Sequence, residues 1–126
     1  MQDFRKLDVW HKAHALALNV RLVTKGFPRS GYTAQRSQIL RAVESIPTNI
    51  VEGCFAASQK DFARFLEVSI KSAGEVEYEL QLAYDCGVLR YRNWQSLTAD
   101  TVEVRRMTIG LRKKVLGRPD PEDLQD

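Results

Sequence analysis

Apolar residues recur along this chain at steps of three and four, the spacing that gathers them on one face of an α-helix. Val9, Ala13, Leu16, Ala17, Val20 and Val23 form a first stripe. Ile39, Leu40, Val43, Ile46 and Ile50 form a second, which Cys54 extends. Phe62, Leu66, Ile70, Ala73, Leu80 and Ala83 form a third, and Trp94, Leu97, Val104, Met107 and Leu111 a fourth that runs on to Leu116. No strand-like alternation of useful length interrupts them.

The breaks between stripes carry helix punctuation. Asp8 is placed to cap the first helix, and Gly26 with Pro28 to stop it. Thr33 is placed to cap the second. "SQKD" from Ser58 reads as a capping box, with Asp61 where Glu or Gln is usual. Gly87 and Gly117 close the third and fourth. The pattern predicts helices over about 8–25, 33–56, 59–86 and 92–116. Short connections make sequential helices antiparallel, so the expected fold is all-α, an up-down-up-down four-helix bundle over 1–117.

The second stripe contains an anomaly, "SIPTNIVEG" from Ser45 to Gly53. Pro47 removes an amide donor and clashes with the carbonyl of Val43, yet the stripe resumes in phase beyond it. The expectation is a kinked helix. Asn49 and Glu52 stand among its apolar positions, and Glu77 falls on the inner side of the third stripe. A buried carboxylate needs partners. Asn49 and Arg41 are the candidates for Glu77, with Glu52 in a similar role, in a polar layer around the kink.

Composition adds charge to this picture. The 126 residues are 44% hydrophobic, enough for one domain with a real core. The net charge is +3, but residues 1–117 hold 18 basic and 12 acidic side chains, and the last nine residues hold four acids. A basic body can attract phosphate polymers. The tail over 118–126, with two prolines and little to bury, is expected to be disordered. The third helix carries six acids and three bases, so it is expected to pair with basic helices of this chain or a neighbour.

Little else points to chemistry. Cys54 and Cys86 are too few for a disulfide framework and form no CxxC, so both are expected as buried small hydrophobes in a reducing cytoplasm. The start, "MQDFRKLDVW", is unlike a signal peptide, and no apolar run reaches the roughly 20 residues of a membrane span. His11 and His14 could supply half a metal site, but only Asp8 is close on that face. There is no phosphate loop and no nucleophile elbow. The expectation is a cytoplasmic protein that is not an enzyme and takes no metal or cofactor.

Several segments then match a known pattern in order: "FRKLDVWHKA" from Phe4, "FPRSGY" from Phe27, "QILRAVESIPTNIVEG" from Gln38, "SQKDFARFLEVSIKSAGEVEYEL" from Ser58 and "CGVL" from Cys86. The chain resembles the four-helix-bundle proteins encoded in 23S rRNA intervening sequences, relatives of the accessory variability determinant of diversity-generating retroelements. The resemblance implies a small bacterial homo-oligomer, a pentamer around a central channel, without established enzymatic activity. It also implies nucleic acid, RNA or DNA, as a partner. The sequence departs from that pattern after Gly53: where many members carry a basic run, it has Ala56, Ala57 and Gln59, and only Lys60 remains basic.

The basic residues left to contact phosphates are Arg5, Lys6, Lys12, Arg105, Arg106, Arg112, Lys113 and Lys114. The motif residues given a structural role are Arg41, Pro47, Asn49, Glu52, Gly53 and Glu77. The alternative to RNA binding is a homo-oligomeric scaffold for a protein partner, which expects exposed apolar contacts such as Phe55 or Trp94.

Overall fold

The computed structural model describes residues 2–120. Four helices account for most of them: α1 Asp8–Thr24, α2 Thr33–Cys54, α3 Gln59–Asp85 and α4 Tyr91–Leu116. Each runs antiparallel to the next, and α1 closes the bundle against α4. Among the described residues there is no strand. The expected four-helix architecture stands.

The stripes became the core. Leu16, Val20, Ile46, Ile50, Leu66 and Val104 are all at most 1% exposed. At ~25 cal/mol per Å² of apolar surface removed from water, such contacts are the main force holding the bundle. Leu97 and Val115 extend the core to both ends of α4.

Helix ends show which caps the chain uses. Ser58 Oγ accepts the amide of Asp61 at 3.0 Å, as the capping box requires. Gly87 has φ +79, the left-handed region glycine enters without strain. There the amide of Val88 reaches the carbonyl of Ala83 at 3.1 Å and that of Gly87 reaches Tyr84 at 3.0 Å, a Schellman closure. Asp8 and Thr33 are corrections. Each is the first residue of its helix, and the cap positions are Leu7 and Tyr32, with no side-chain cap bond. Asp8 still places a carboxylate in the positive first turn of α1. Ahead of α1 lies a 3-10 turn over Phe4–Lys6, which the apolar period does not announce.

Helix α2 is continuous through Pro47. Around it the polar layer exists, but its members differ from those expected. Asn49 Nδ2 donates to the carbonyl of Ser45 at 2.9 Å and to Ser45 Oγ at 3.0 Å. Ser45 Oγ and Ser72 Oγ are 2.7 Å apart, and Ser69 Oγ donates to the carbonyl of Ile46 at 2.9 Å. Two small serines of α3 thus bond α2 directly beside the residue that lacks an N–H. Arg41 and Glu52 are exposed and take no part, because both lie on the outer side of α2.

Gly53 has a packing reason: a Cβ there would meet Phe62 Cδ1 at 2.6 Å, so a side chain is excluded where α2 and α3 approach. The two cysteines separate. Cys54 is buried, and burial first, with the Asp3 carboxylate second, pushes its thiol up to about 11. Cys86 is exposed, against expectation, since it caps α3 just before the Gly87 turn. The expected disordered tail falls on 118–126, of which 121–126 lie outside the described residues. Asp120 is placed: its Oδ1 accepts the amide of Gln59 at 2.6 Å, at the first turn of α3.

Candidate nucleic-acid interface

The antiparallel order sorts the basic side chains by bundle end. One end collects the start of α1, the α2–α3 connection and the end of α4. Arg5, Lys6, Lys60, Arg112, Lys113 and Lys114 belong to it, with Lys12 a turn further in. Arg105 and Arg106 lie further up α4, about three turns before its end.

Half of the candidate phosphate contacts are already engaged by carboxylates. Arg105 pairs with Glu77 of α3. Arg106 pairs with Glu103 one turn back on its own helix. Arg112 reaches Glu67 at 3.8 Å and donates from Nε to the carbonyl of Ala63 at 3.3 Å. Arg5 approaches Asp3 at 3.9 Å, with its guanidinium over the Phe4 ring at 4.4 Å. Glu77 is therefore neither fully buried nor a partner of Asn49 or Arg41: it is half-buried and belongs to the α3–α4 seam. The acidity of α3 is matched by α4 of the same chain, through Glu67 and Glu77.

Lys6, Lys12, Lys113 and Lys114 meet no carboxylate within ion-pair distance among the described residues. Lys12 lines a groove of about 170 Å³ between α1 and α4 with Asp100 and Glu103, so its charge is partly balanced nearby.

The opposite end was missed from sequence. It holds the α1–α2 connection and the α3–α4 turn, with Lys25, Arg29, Arg90 and Arg92 exposed and Arg36 half-buried. None of the five has a carboxylate within ion-pair distance among the described residues. Asp85, the acid of that turn, accepts from Gln81 at 3.0 Å. The signal was available: an up-down bundle brings residues 25–32 and 86–92 to one end, and both stretches are basic.

Geometry for catalysis or metal binding is sparse. His14 stacks on Trp10 with ring centroids 4.8 Å apart, and His11 Nε2 lies 2.7 Å from the carbonyl of Arg5. The His11 contact ties the 3-10 turn to α1, while the His14 stack lies within α1. Among the described residues no group of three or more His, Cys, Asp or Glu could hold a metal ion. A groove of about 600 Å³ between α2 and α3 is lined by residues that include Gln38, Lys71, Glu75, Tyr78 and Glu79, and contains neither histidine nor cysteine. No described helix is long and apolar enough to cross a membrane.

A family model described as 23S rRNA-intervening sequence protein matches residues 5–110. The chain belongs to that family. The chain is also similar to a solved structure of unknown function from the S23 ribosomal protein family of Bacteroides thetaiotaomicron VPI-5482. The two are 28% identical with a TM-score of 0.77, over 83% of this chain and 95% of the other. No curated protein is significantly similar to it. The match begins at Arg5 and ends at Gly110, so it covers the bundle and stops before the last turns of α4, where Lys113 and Lys114 lie.

Proposed function

We propose that this protein is a non-enzymatic, self-associating nucleic-acid-binding protein of the cytoplasm, with RNA as its polyanion. The observation that carries the reading is the distribution of unpaired charge. Glu67 and Glu77 pair with Arg112 and Arg105 across the α3–α4 seam and Glu103 pairs with Arg106 on α4, while Lys6, Lys60, Lys113 and Lys114 at one end and Lys25, Arg29, Arg90 and Arg92 at the other meet no carboxylate within ion-pair distance among the described residues. Such groups bind phosphates by releasing counterions, and repetition in a homo-oligomer multiplies a weak contact. The family's name, which refers to 23S rRNA, agrees with an RNA partner.

Fluorescence anisotropy of a labelled structured RNA, at low and physiological salt, tests it. Binding is expected to weaken steeply with salt. Changing Lys6, Lys60, Lys113 and Lys114 together to Glu should weaken it at least about tenfold and flatten the salt dependence. No binding by the unchanged protein at low salt overturns the reading.

A second reading, a homopentameric scaffold without nucleic acid, is favoured by the outer face of α1. Ala15, Leu18 and Leu22 are exposed there at steps of three and four, Leu18 at 54% and Leu22 at 66%. Phe55 is also exposed, whereas Trp94 is half-buried against the core. Leu18→Asp or Phe55→Asp is expected to lower the mass in solution by light scattering; an unchanged mass removes that face from assembly.

A further inference from the structure

Three aromatic rings meet at the α3–α4 turn. Tyr84 in the last turn of α3 stacks on Trp94 in the first turn of α4, with centroids 4.8 Å apart and planes 19° from parallel. Tyr91, the first residue of α4, lies 5.7 Å from Trp94 and 6.0 Å from Tyr84. Tyr84 and Trp94 are half-buried against the core, while Tyr91 is 55% exposed. Arg90 and Arg92 flank Tyr91 in sequence, are exposed, and meet no carboxylate within ion-pair distance among the described residues.

From this juxtaposition we infer that the Tyr91 ring, backed by Tyr84 and Trp94 and flanked by Arg90 and Arg92, is a stacking platform for an unpaired base of single-stranded nucleic acid. The inference rests on the nucleic-acid reading above and says which part of a nucleic acid the α3–α4 end takes.

An exposed aromatic ring offers a face on which any base can stack, because every base has one. Guanidinium groups beside it can hold the phosphates on either side of that base, and charge draws the strand in. The platform is also fixed in advance. The Gly87 turn is closed by bonds to Ala83 and Tyr84, and Leu89, 4% exposed, anchors the turn in the core. Little ordering cost is left for the binding step. A duplex keeps its bases stacked inward, so its faces are not available to Tyr91, and selection for unpaired strands follows.

The test uses the full chain and two labelled probes, an oligouridylate of about 15 nucleotides and a blunt-ended RNA duplex of similar charge. An oligothymidylate of the same length distinguishes RNA from DNA as the source of the strand. Tyr91→Ala is expected to weaken binding of the single strand about tenfold and leave the duplex nearly unchanged. Tyr91→Phe, which keeps the ring, should bind like the unchanged protein. Arg90→Gln with Arg92→Gln should lower the salt slope for the single strand by about 1.4. Circular dichroism confirms that each variant folds, which the exposure of all three side chains favours.

The outcomes separate cleanly. Failure of the unchanged protein to bind either probe at low salt overturns the nucleic-acid reading, and this inference with it. Binding that Tyr91→Ala leaves unchanged, or weakens equally on both probes, overturns the stacking platform alone.

Discussion

Arg105 on α4 and Glu77 on α3 are each other's partners. Read from sequence, the arginine belonged on a phosphate-binding face and the carboxylate in a buried polar layer. The ion pair removes both from those roles. Side-chain exposures of 31% and 38% put the pair between surface and interior. A double-mutant cycle with Glu77→Gln and Arg105→Gln, read by urea denaturation, should give a coupling of about 0.5–1 kcal/mol that shrinks with salt. Arg105→Gln by itself should change RNA affinity little. A loss of affinity as large as that from Lys113 and Lys114 would return Arg105 to the binding face.

Gly53 marks a close approach of α2 to α3. An added Cβ would lie 2.6 Å from Phe62 Cδ1 and 3.3 Å from the Phe62 carbonyl oxygen. Phe62 is itself 4% exposed, so its ring has little room to withdraw. Gly53→Ala is expected to cost about 1–3 kcal/mol of stability through overpacking, despite alanine's better helix propensity. An unchanged urea midpoint would mean that the Phe62 ring gives way freely.

Pro47 and Ser69 act on adjacent parts of one helix turn. Ser69 is fully buried and donates to the carbonyl of Ile46. Ser69→Ala should cost about 1 kcal/mol by leaving that bond unmade. Pro47→Ala restores a donor to the Val43 carbonyl and removes the ring's clash with it. The variant should keep the fold while α2 straightens. A crystal structure of Pro47→Ala with an unaltered helix axis would assign any bend to packing against α3.

The carboxyl of Glu79 is raised above its ordinary value, chiefly by burial and then by the neighbouring Glu75. Its proton is therefore held more tightly in the folded chain than in the unfolded one, and ionisation opposes folding. The contribution to stability is most favourable below the ordinary carboxylate range and is lost as pH rises through the raised folded value. Glu79→Gln should melt higher than the unchanged protein at about pH 7, with the difference closing towards about pH 4. A difference that does not vary with pH would contradict this origin.

The four stripes, the Ser58 cap and the glycine stop at Gly87 were legible because each depends on neighbours a few residues away. Periodicity says which face of a helix is buried, so the bundle and residues such as Leu16, Ile46 and Leu66 followed from the chain directly. The segment from Ser45 to Gly53 was legible in part: its polar residues do surround Pro47, and Gly53 is constrained. Which side chains complete the layer depended on the axial offset between α2 and α3, which brings Ser69 and Ser72, and not Glu77, opposite Pro47.

The offset between α3 and α4, likewise a property of two helices together, decided the pairing of Arg105 with Glu77 and of Arg112 with Glu67. Cys86 was expected inside because it is small and apolar, but its place beside the Gly87 turn exposes it. Asp120 lies far from Gln59 in sequence, and only the closing of α4 against α3 brings that carboxylate to the first turn of α3. The basic end with Tyr91, Arg90 and Arg92 is likewise a product of folding, since it exists once two connections share one end of the bundle. Sequence by itself determined the helices and their buried faces, because those follow from local spacing. Tertiary structure decided which charges are neutralised and which remain for a partner, because neutralisation depends on distances between residues that the chain keeps far apart.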